Sequence, residues 1–377
     1  MPPNYVSLSK DIMEKAATPD SMYRQAVAVV EKCKCKQGFW ASASYYGGQL
    51  WLRDLYYSLP GLKILGYLKE AKNQLLLTLK KVRKNGVPDY VVPFTQRWAA
   101  LFRPRAWVGL FLDSPYRPWV ADTPLLLLIL VRQVGLEIPN QLSHKLVWVE
   151  QRIRALRDPK TGLIEGCDYR DSLLFHLPLL TNQVDLYVVL RLMGKTGEAE
   201  EVREAIEKFY FSKKLGYYTD IPNGRRFDVV GHVKLIQSGL LEGKSAERMI
   251  KHLLAASAPY GLRNFYPPYT PVELRESWAK CLEKFKVSWR LRVVFKGGVE
   301  RNARGEYQNS TVWPFVHNLA VETLAELGFE KEAKKLFMRV PGFHECYDPQ
   351  TGRPLGSPDQ LWSAATWISA YQKLFSP

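Results

Sequence analysis

The chain has 377 residues, of which 46% are hydrophobic, enough to bury a sizeable core and too many for a disordered chain. The net charge is +16, but Lys and Arg are scattered, with no basic tail and no nucleic-acid module; a solvated basic surface is expected, and no nucleic-acid partner. Five Cys without framework spacing exclude a disulfide scaffold, and the six His share no metal-ligand spacing, so no metal and no other cofactor is expected.

The start, Met1-Pro2-Pro3-Asn4, lacks a basic stretch followed by an apolar run, so no signal peptide is expected. The longest apolar run, Pro124 to Val131, is too short to span a membrane. The expected compartment is the cytosol. Apolar residues at three-to-four spacing predict a helix over Met22–Cys33, capped by Asp20-Ser21. An aromatic, glycine-rich loop follows, Phe39 to Gly48, which reads as functional because loops carry sites. Helices are predicted over Leu52–Gly66 and Leu68–Arg83, the latter closed by Asn85-Gly86. Residues 86–120, rich in Pro, Trp and Arg, read as an irregular connection. Further helices are predicted over Ala121–Val134, Leu142–Arg157, Leu179–Met193, Glu198–Tyr210, Asp228–Ser238 and Ser245–Ala256. Arg275–Lys286 reads as helix, while Val287–Phe295 suits a strand or a helix. Thr311–Leu327, Lys331–Met338 and Gln360–Leu374 complete the set.

Roughly a dozen helices with no recurring strand pattern predict an all-α protein. A helical solenoid would show a fixed sequence period, and none is found. A closed toroid of helical hairpins fits better and gathers its long loops at one end. No composition break divides the chain, so residues 1–377 are read as a single domain.

Two acidic loops stand out. The first is Glu165-Gly166-Cys167-Asp168-Tyr169-Arg170-Asp171-Ser172. The second is Glu345-Cys346-Tyr347-Asp348-Pro349-Gln350-Thr351-Gly352, ahead of the helix that begins Gln360-Leu361-Trp362. An Asp-Pro-x-Thr-Gly turn, in the second loop at Asp348, also occurs upstream at Asp158 and reads as turn chemistry. Glycosidic hydrolysis needs one carboxylic acid to protonate the leaving oxygen, and a second carboxylate to activate water or attack the sugar. Eleven Trp and 20 Tyr supply rings on which sugar faces pack. The alternative reading is that these acids cap the next helix and pair with Arg170. His344 reads as a satisfied loop histidine, and Cys167 and Cys346, which flank the two acidic candidates, as buried thiols.

Trp51-Leu52-Arg53-Asp54 and Tyr169-Arg170-Asp171-Ser172 resemble the Arg-Asp loop and helix and the acid motif of the amylo-α-1,6-glucosidase (glycogen debranching) family. Thr311-Val312-Trp313-Pro314-Phe315 is similar to its Val-Trp-Pro-aromatic motif. The Glu345 loop and Gln360-Leu361-Trp362-Ser363-Ala364-Ala365 resemble its base loop and last helix. The matches run in the family's order from about residue 50 to 371. The resemblance implies an (α/α)6 toroid and inverting hydrolysis of an α-linked glucoside, with Asp171 as general acid and Glu345 as general base. It implies that Trp51, Arg53, Asp54, Trp313, Gln360 and Trp362 hold the sugar, with Asp168, Tyr169 and Arg170 beside them. Asp168 competes with Asp171 for the acid role, because Arg170 stands where the family more often has a neutral residue. Trehalases, processing α-glucosidases and mannosylglycerate hydrolases have similar motifs. The chain lacks the extra domains that debranching enzymes carry, which favours a small substrate, and a non-catalytic glycan-binding member stays open. The basic loops (Arg103, Arg105, Arg117, Arg225, Arg226) suit a charged glycoside or a solvated surface.

Overall fold

The computed structural model describes residues 18–46, 48–93, 116–117, 119–173, 177–285, 299–303 and 306–376. In chain order the helices are α1 (Pro19–Cys33), α2 (Leu52–Ile64), α3 (Leu68–Lys81), α4 (Asp122–Gln133), α5 (Ser143–Leu156), α6 (Leu180–Leu192) and α7 (Thr196–Tyr210). They continue with α8 (Val229–Gln237), α9 (Gly243–Ala255), α10 (Pro271–Phe285), α11 (Pro314–Glu326), α12 (Glu330–Phe337) and α13 (Leu361–Phe375). Six of them close a ring, in which α2 packs on α4, α4 on α6, α6 on α8, α8 on α11, α11 on α13, and α13 back on α2. Six more lie outside: α3 against α2, α5 against α4, α7 against α6, α9 against α8, α12 against α11, and α1 against α13. The fold is an all-α (α/α)6 toroid.

The sequence explains which helix goes where. Inner helices touch a neighbour on either side as well as the outer layer, so they must be apolar or tightly paired nearly all round. In α13 every residue from Leu361 to Ala370 is buried. Outer helices bury one stripe only: α1 buries Met22, Ala26, Val29, Val30 and Cys33, and α9 buries Ala246, Met249, Ile250 and Leu253. Between α2 and α13 the backbones nearly touch. A Cβ on Gly61 would stand 2.0 Å from the Ala365 carbonyl oxygen, so only glycine permits that approach.

Connections at the amino ends of the inner helices carry five two-residue antiparallel ladders, including Leu50–Trp51 with Tyr90–Val91 and Phe227–Asp228 with Phe265–Tyr266. None of these ladders was predicted, because a two-residue ladder leaves no alternation to read. Leu142–Arg157 was expected as one helix; it opens as a 3-10 turn, Asn140–Leu142, before α5 begins at Ser143. The helix expected over Arg275–Lys286 starts earlier, at Pro271, and Val287–Phe295 lies outside the described residues. Among the described residues no helix is long and apolar enough to cross a membrane.

Candidate active site

All six inner helices point their amino ends at one side of the ring, and a cavity of about 90 Å3 opens there. Its wall includes Trp51, Arg53 and Asp54 from the start of α2, Trp313 just before α11, and Gln360 and Trp362 from the start of α13. Tyr169, Asp171 and Glu345 complete the expected set in the wall, joined by Ala41, Tyr46, Tyr307 and Gln308. Unsatisfied N–H groups and the helix dipoles make this end of the ring favourable for anionic side chains.

Glu345 is fixed by its loop. Its N–H donates to the Ser357 carbonyl (2.8 Å), and the Ser357 N–H donates back to Oε2 (3.1 Å). The hydroxyls of Tyr307 and Tyr46 donate to Oε1 at 3.1 and 3.3 Å. Gly356 is required beside it, since a Cβ there would meet the Glu345 Cβ at 2.4 Å. Burial pushes the Glu345 carboxyl above the usual carboxylate range, with the Ser357 N–H and the two tyrosines pulling partly back.

Asp171 has the opposite setting. Its Oδ2 accepts from Arg53 Nη1 and from Arg117 Nη2, both at 2.8 Å, and its Oδ1 meets Gln308 Nε2 at 3.3 Å. Burial pushes this carboxyl up, but Arg117 and Arg53 outweigh it and hold the group below its ordinary range. Asp54 is a third carboxyl in the wall. It is pushed up to about 8 by burial and by nearby Glu345, against the Gln360 amide that donates to it at 2.8 Å.

The remaining expected residues go elsewhere. Asp168 and Arg170 do not line the cavity; both are buried behind it. Asp168 accepts from the Arg170 side chain and N–H and from Thr181 Oγ1, while Arg170 also pairs with Asp228 at 3.0 Å. This buried knot ties the loop to the starts of α6 and α8. Among the basic loops, Arg225 and Arg226 pair with Glu273, Arg117 reaches Asp171, and Arg103 and Arg105 lie outside the described residues. His344 contacts the Tyr347 hydroxyl, and the five cysteines form no disulfide. Among the described residues no cluster of three or more metal-ligand side chains occurs.

Two of the wall residues that sequence reasoning missed, Tyr307 and Gln308, come from one strained turn. Tyr307 and Ser310 both have positive φ, 59° and 63°, uncommon for residues with a Cβ and a mark of functional turns. That turn lets Gln308 clamp the acidic loop, accepting from Ser172 N–H (3.0 Å) and donating to the Tyr169 carbonyl (2.8 Å). Tyr46 sits in the aromatic loop expected to be functional, which is pinned to α13 by Leu361 N–H to the Ala41 carbonyl (2.9 Å). No spacing signal pointed to Arg117, Asp89 or Asp122 as a group.

Two donors in the wall, Tyr169 Oη and Trp362 Nε1, are buried with no hydrogen-bond partner. Trp362 stacks on Phe315 with centroids 4.4 Å apart and meets Trp313 edge-on at 5.6 Å.

The ring, with its cavity at the amino ends of the inner helices, has the six-hairpin toroid architecture seen in glycosidases. Among solved structures the chain is similar to the GH63 mannosylglycerate hydrolase of Thermus thermophilus in complex with Tris, at 16% identity over 92% of this chain and 99% of that one, TM-score 0.61. The glucose complex of that hydrolase matches at 17% identity over the same shares, TM-score 0.60. A glycosidase variant in complex with glucose matches at 13% identity over 98% of this chain and 99% of that one, TM-score 0.61. No protein-family model and no curated protein sequence matches the chain.

Proposed function

We propose that the protein is a glycoside hydrolase that cleaves a small α-linked glucoside with inversion. The observation that carries this reading is that Asp171 and Glu345, from loops 174 positions apart in the sequence, share one cavity walled by Trp51, Trp313 and Trp362. The toroid's likeness to glycosidases supports it. A chamber of about 90 Å3 suits one terminal glycosyl unit, not the interior of a polymer.

In this reading the protonated Asp171 gives its proton to the glycosidic oxygen as the bond to the anomeric carbon breaks. Glu345 takes a proton from a water molecule whose oxygen attacks that carbon from the opposite face. Inversion requires the two carboxyls to stand roughly 6.5–9.5 Å apart, leaving room for the water. Trp51, Arg53, Asp54, Tyr169, Trp313, Gln360 and Trp362 hold the sugar, while Asp168 and Arg170 act through the loop they brace. Asp168 is a poor acid because both its oxygens already accept hydrogen bonds.

A second reading exchanges the two roles, and one observation favours it: without substrate, Glu345 is the carboxyl pushed up and Asp171 the one held down. A glycosyl fluoride separates the readings, because fluoride leaves without a general acid. Asp171→Asn is expected to lose the parent glycoside yet still hydrolyse α-glucosyl fluoride, and Glu345→Gln to hydrolyse neither while still binding glucose. The mirror-image result would exchange the roles. Unaltered turnover in both variants would remove both carboxyls from the chemistry, and a wild type that binds sugar without cleaving any would be a glycan-binding protein. A screen of isomaltose, maltose, trehalose, kojibiose and mannosylglycerate identifies the linkage; mannosylglycerate is included because a hydrolase of that glycoside has a similar toroid.

A further inference from the structure

Behind Asp171 the described residues form a buried chain of alternating charges. Arg53 grips Asp122 in a fork, with Nε to Oδ2 at 2.6 Å and Nη2 to Oδ1 at 3.0 Å, which leaves only Nη1 for Asp171. Arg117 is shared likewise, with Nε to Asp89 Oδ2 at 2.5 Å and Nη2 to Asp171. Thr123 Oγ1 donates to Asp89 Oδ1 at 3.2 Å, tying Asp89 to the first turn of α4. Asp89 and Asp122 are each 2% exposed.

The charge balance is informative. Among the described residues three carboxylates face two guanidiniums, one negative charge in excess while Asp171 is ionised. With Asp171 protonated, two matched ion pairs remain, the arrangement a buried site tolerates best. Both guanidiniums contact Oδ2, whereas Oδ1 meets only a 3.3 Å amide, so Oδ1 is the oxygen able to hold a proton. We propose that Asp89 and Asp122 are positioning residues that offset the charge of Arg117 and Arg53, so that Asp171 can take up the catalytic proton on Oδ1 once a sugar fills the cavity. The proposal rests on the glycoside hydrolase reading with Asp171 as acid. It explains how that acid works beside two arginines, and it adds a contribution from substrate: a sugar that expels water from the cavity strengthens the burial that already favours the neutral form.

Other groups around Asp171 act from several directions. Asp54 stands on α2 beside Arg53, and Tyr46, Tyr307 and Glu345 face it across the cavity. Cys167, Asp168 and Arg170 lie on its own loop, with the Arg170 charge matched by Asp168 and Asp228.

The test compares the wild type with Asp89→Asn, Asp122→Asn and Arg117→Gln. The midpoint of Asp171 is read by 13C-carboxyl NMR on protein with labelled aspartate, assigned through Asp171→Asn. Removing a compensating carboxylate leaves an arginine free to act on Asp171. Asp89→Asn and Asp122→Asn should therefore lower the midpoint by about one pH unit, and Arg117→Gln should raise it by about as much. The alkaline limb of kcat/KM should move with the midpoint for the parent glycoside, while glycosyl fluoride hydrolysis should be indifferent. A merely structural role would cut yield or kcat and leave the midpoint in place. An unmoved midpoint in the folded variants, or a moved midpoint with a fixed alkaline limb, overturns the proposal. Arg117→Gln supplies the opposite sign should either asparagine variant fail to fold. If the wild type cleaves no glycoside, the functional reading fails, and the NMR shifts still decide whether the charges are balanced as described.

Discussion

Asp54 shows how one carboxyl can sit among others without a cation of its own. Its Oδ1 accepts from Gln360, Gln360 accepts in turn from the Ser357 hydroxyl, and the Ser357 N–H reaches Glu345. Because its folded midpoint is raised to about 8, Asp54 binds more proton folded than unfolded between roughly pH 4 and pH 8. Stability should therefore fall as pH rises through that window, and the loss should be complete above it. Asp54→Asn should flatten this dependence, which urea unfolding at pH 5 and pH 8 would measure; an unchanged slope would mean that Asp54 ionises freely. At this scale the sequence was legible where an acid or a tryptophan sat inside a motif, as with Asp171, Glu345 and Trp362. It was illegible where partners come from separate segments: nothing in the order of residues connects Asp89 to Arg117. Arg170, also read as beside the sugar, pairs with Asp168, as the alternative reading of its loop had it.

At the scale of the element, helix positions followed from apolar spacing because packing layers impose it. Ends were less legible, since a 3-10 turn before α5 and an early start of α10 leave the apolar stripe unchanged. The two Asp-Pro-x-Thr-Gly turns are built alike. Asp158 Oδ1 accepts from Lys160 and Thr161 N–H at 2.9 and 2.8 Å, and Asp348 Oδ1 accepts from Gln350 and Thr351 N–H at 3.0 and 2.8 Å. The backbones of α2 and α13 approach closely at Gly61. Gly61→Ala should destabilise the fold by roughly 3 kcal/mol through overpacking, seen as a lower thermal midpoint. The same variant should disturb the cavity, because the amino ends of these two helices carry Arg53, Asp54, Gln360 and Trp362.

For the whole molecule, the toroid could be read from the count of helices, the lack of a recurring strand pattern and the lack of a fixed period, but the closing contact could not. Sequence-adjacent hairpins explain most of the ring; the seam joins α2 to α13, whose first residues are more than 300 positions apart. Deleting residues 361–377 removes α13, on which α1, α2 and α11 all pack. The full chain is expected to unfold in one cooperative transition and the truncated chain to lose it, which calorimetry would show; a retained transition would mean that the ring tolerates a gap. The seam also has a consequence in time. Contacts spanning most of the chain form slowly, since the loop between them must close first. The cavity takes Trp51 and Asp54 from one side of the seam and Gln360 and Trp362 from the other, so it is among the last features to assemble. A polypeptide still emerging from the ribosome would hold most of its helices and no closed cavity, and any ligand of that cavity would bind only the finished ring, favouring closure by mass action.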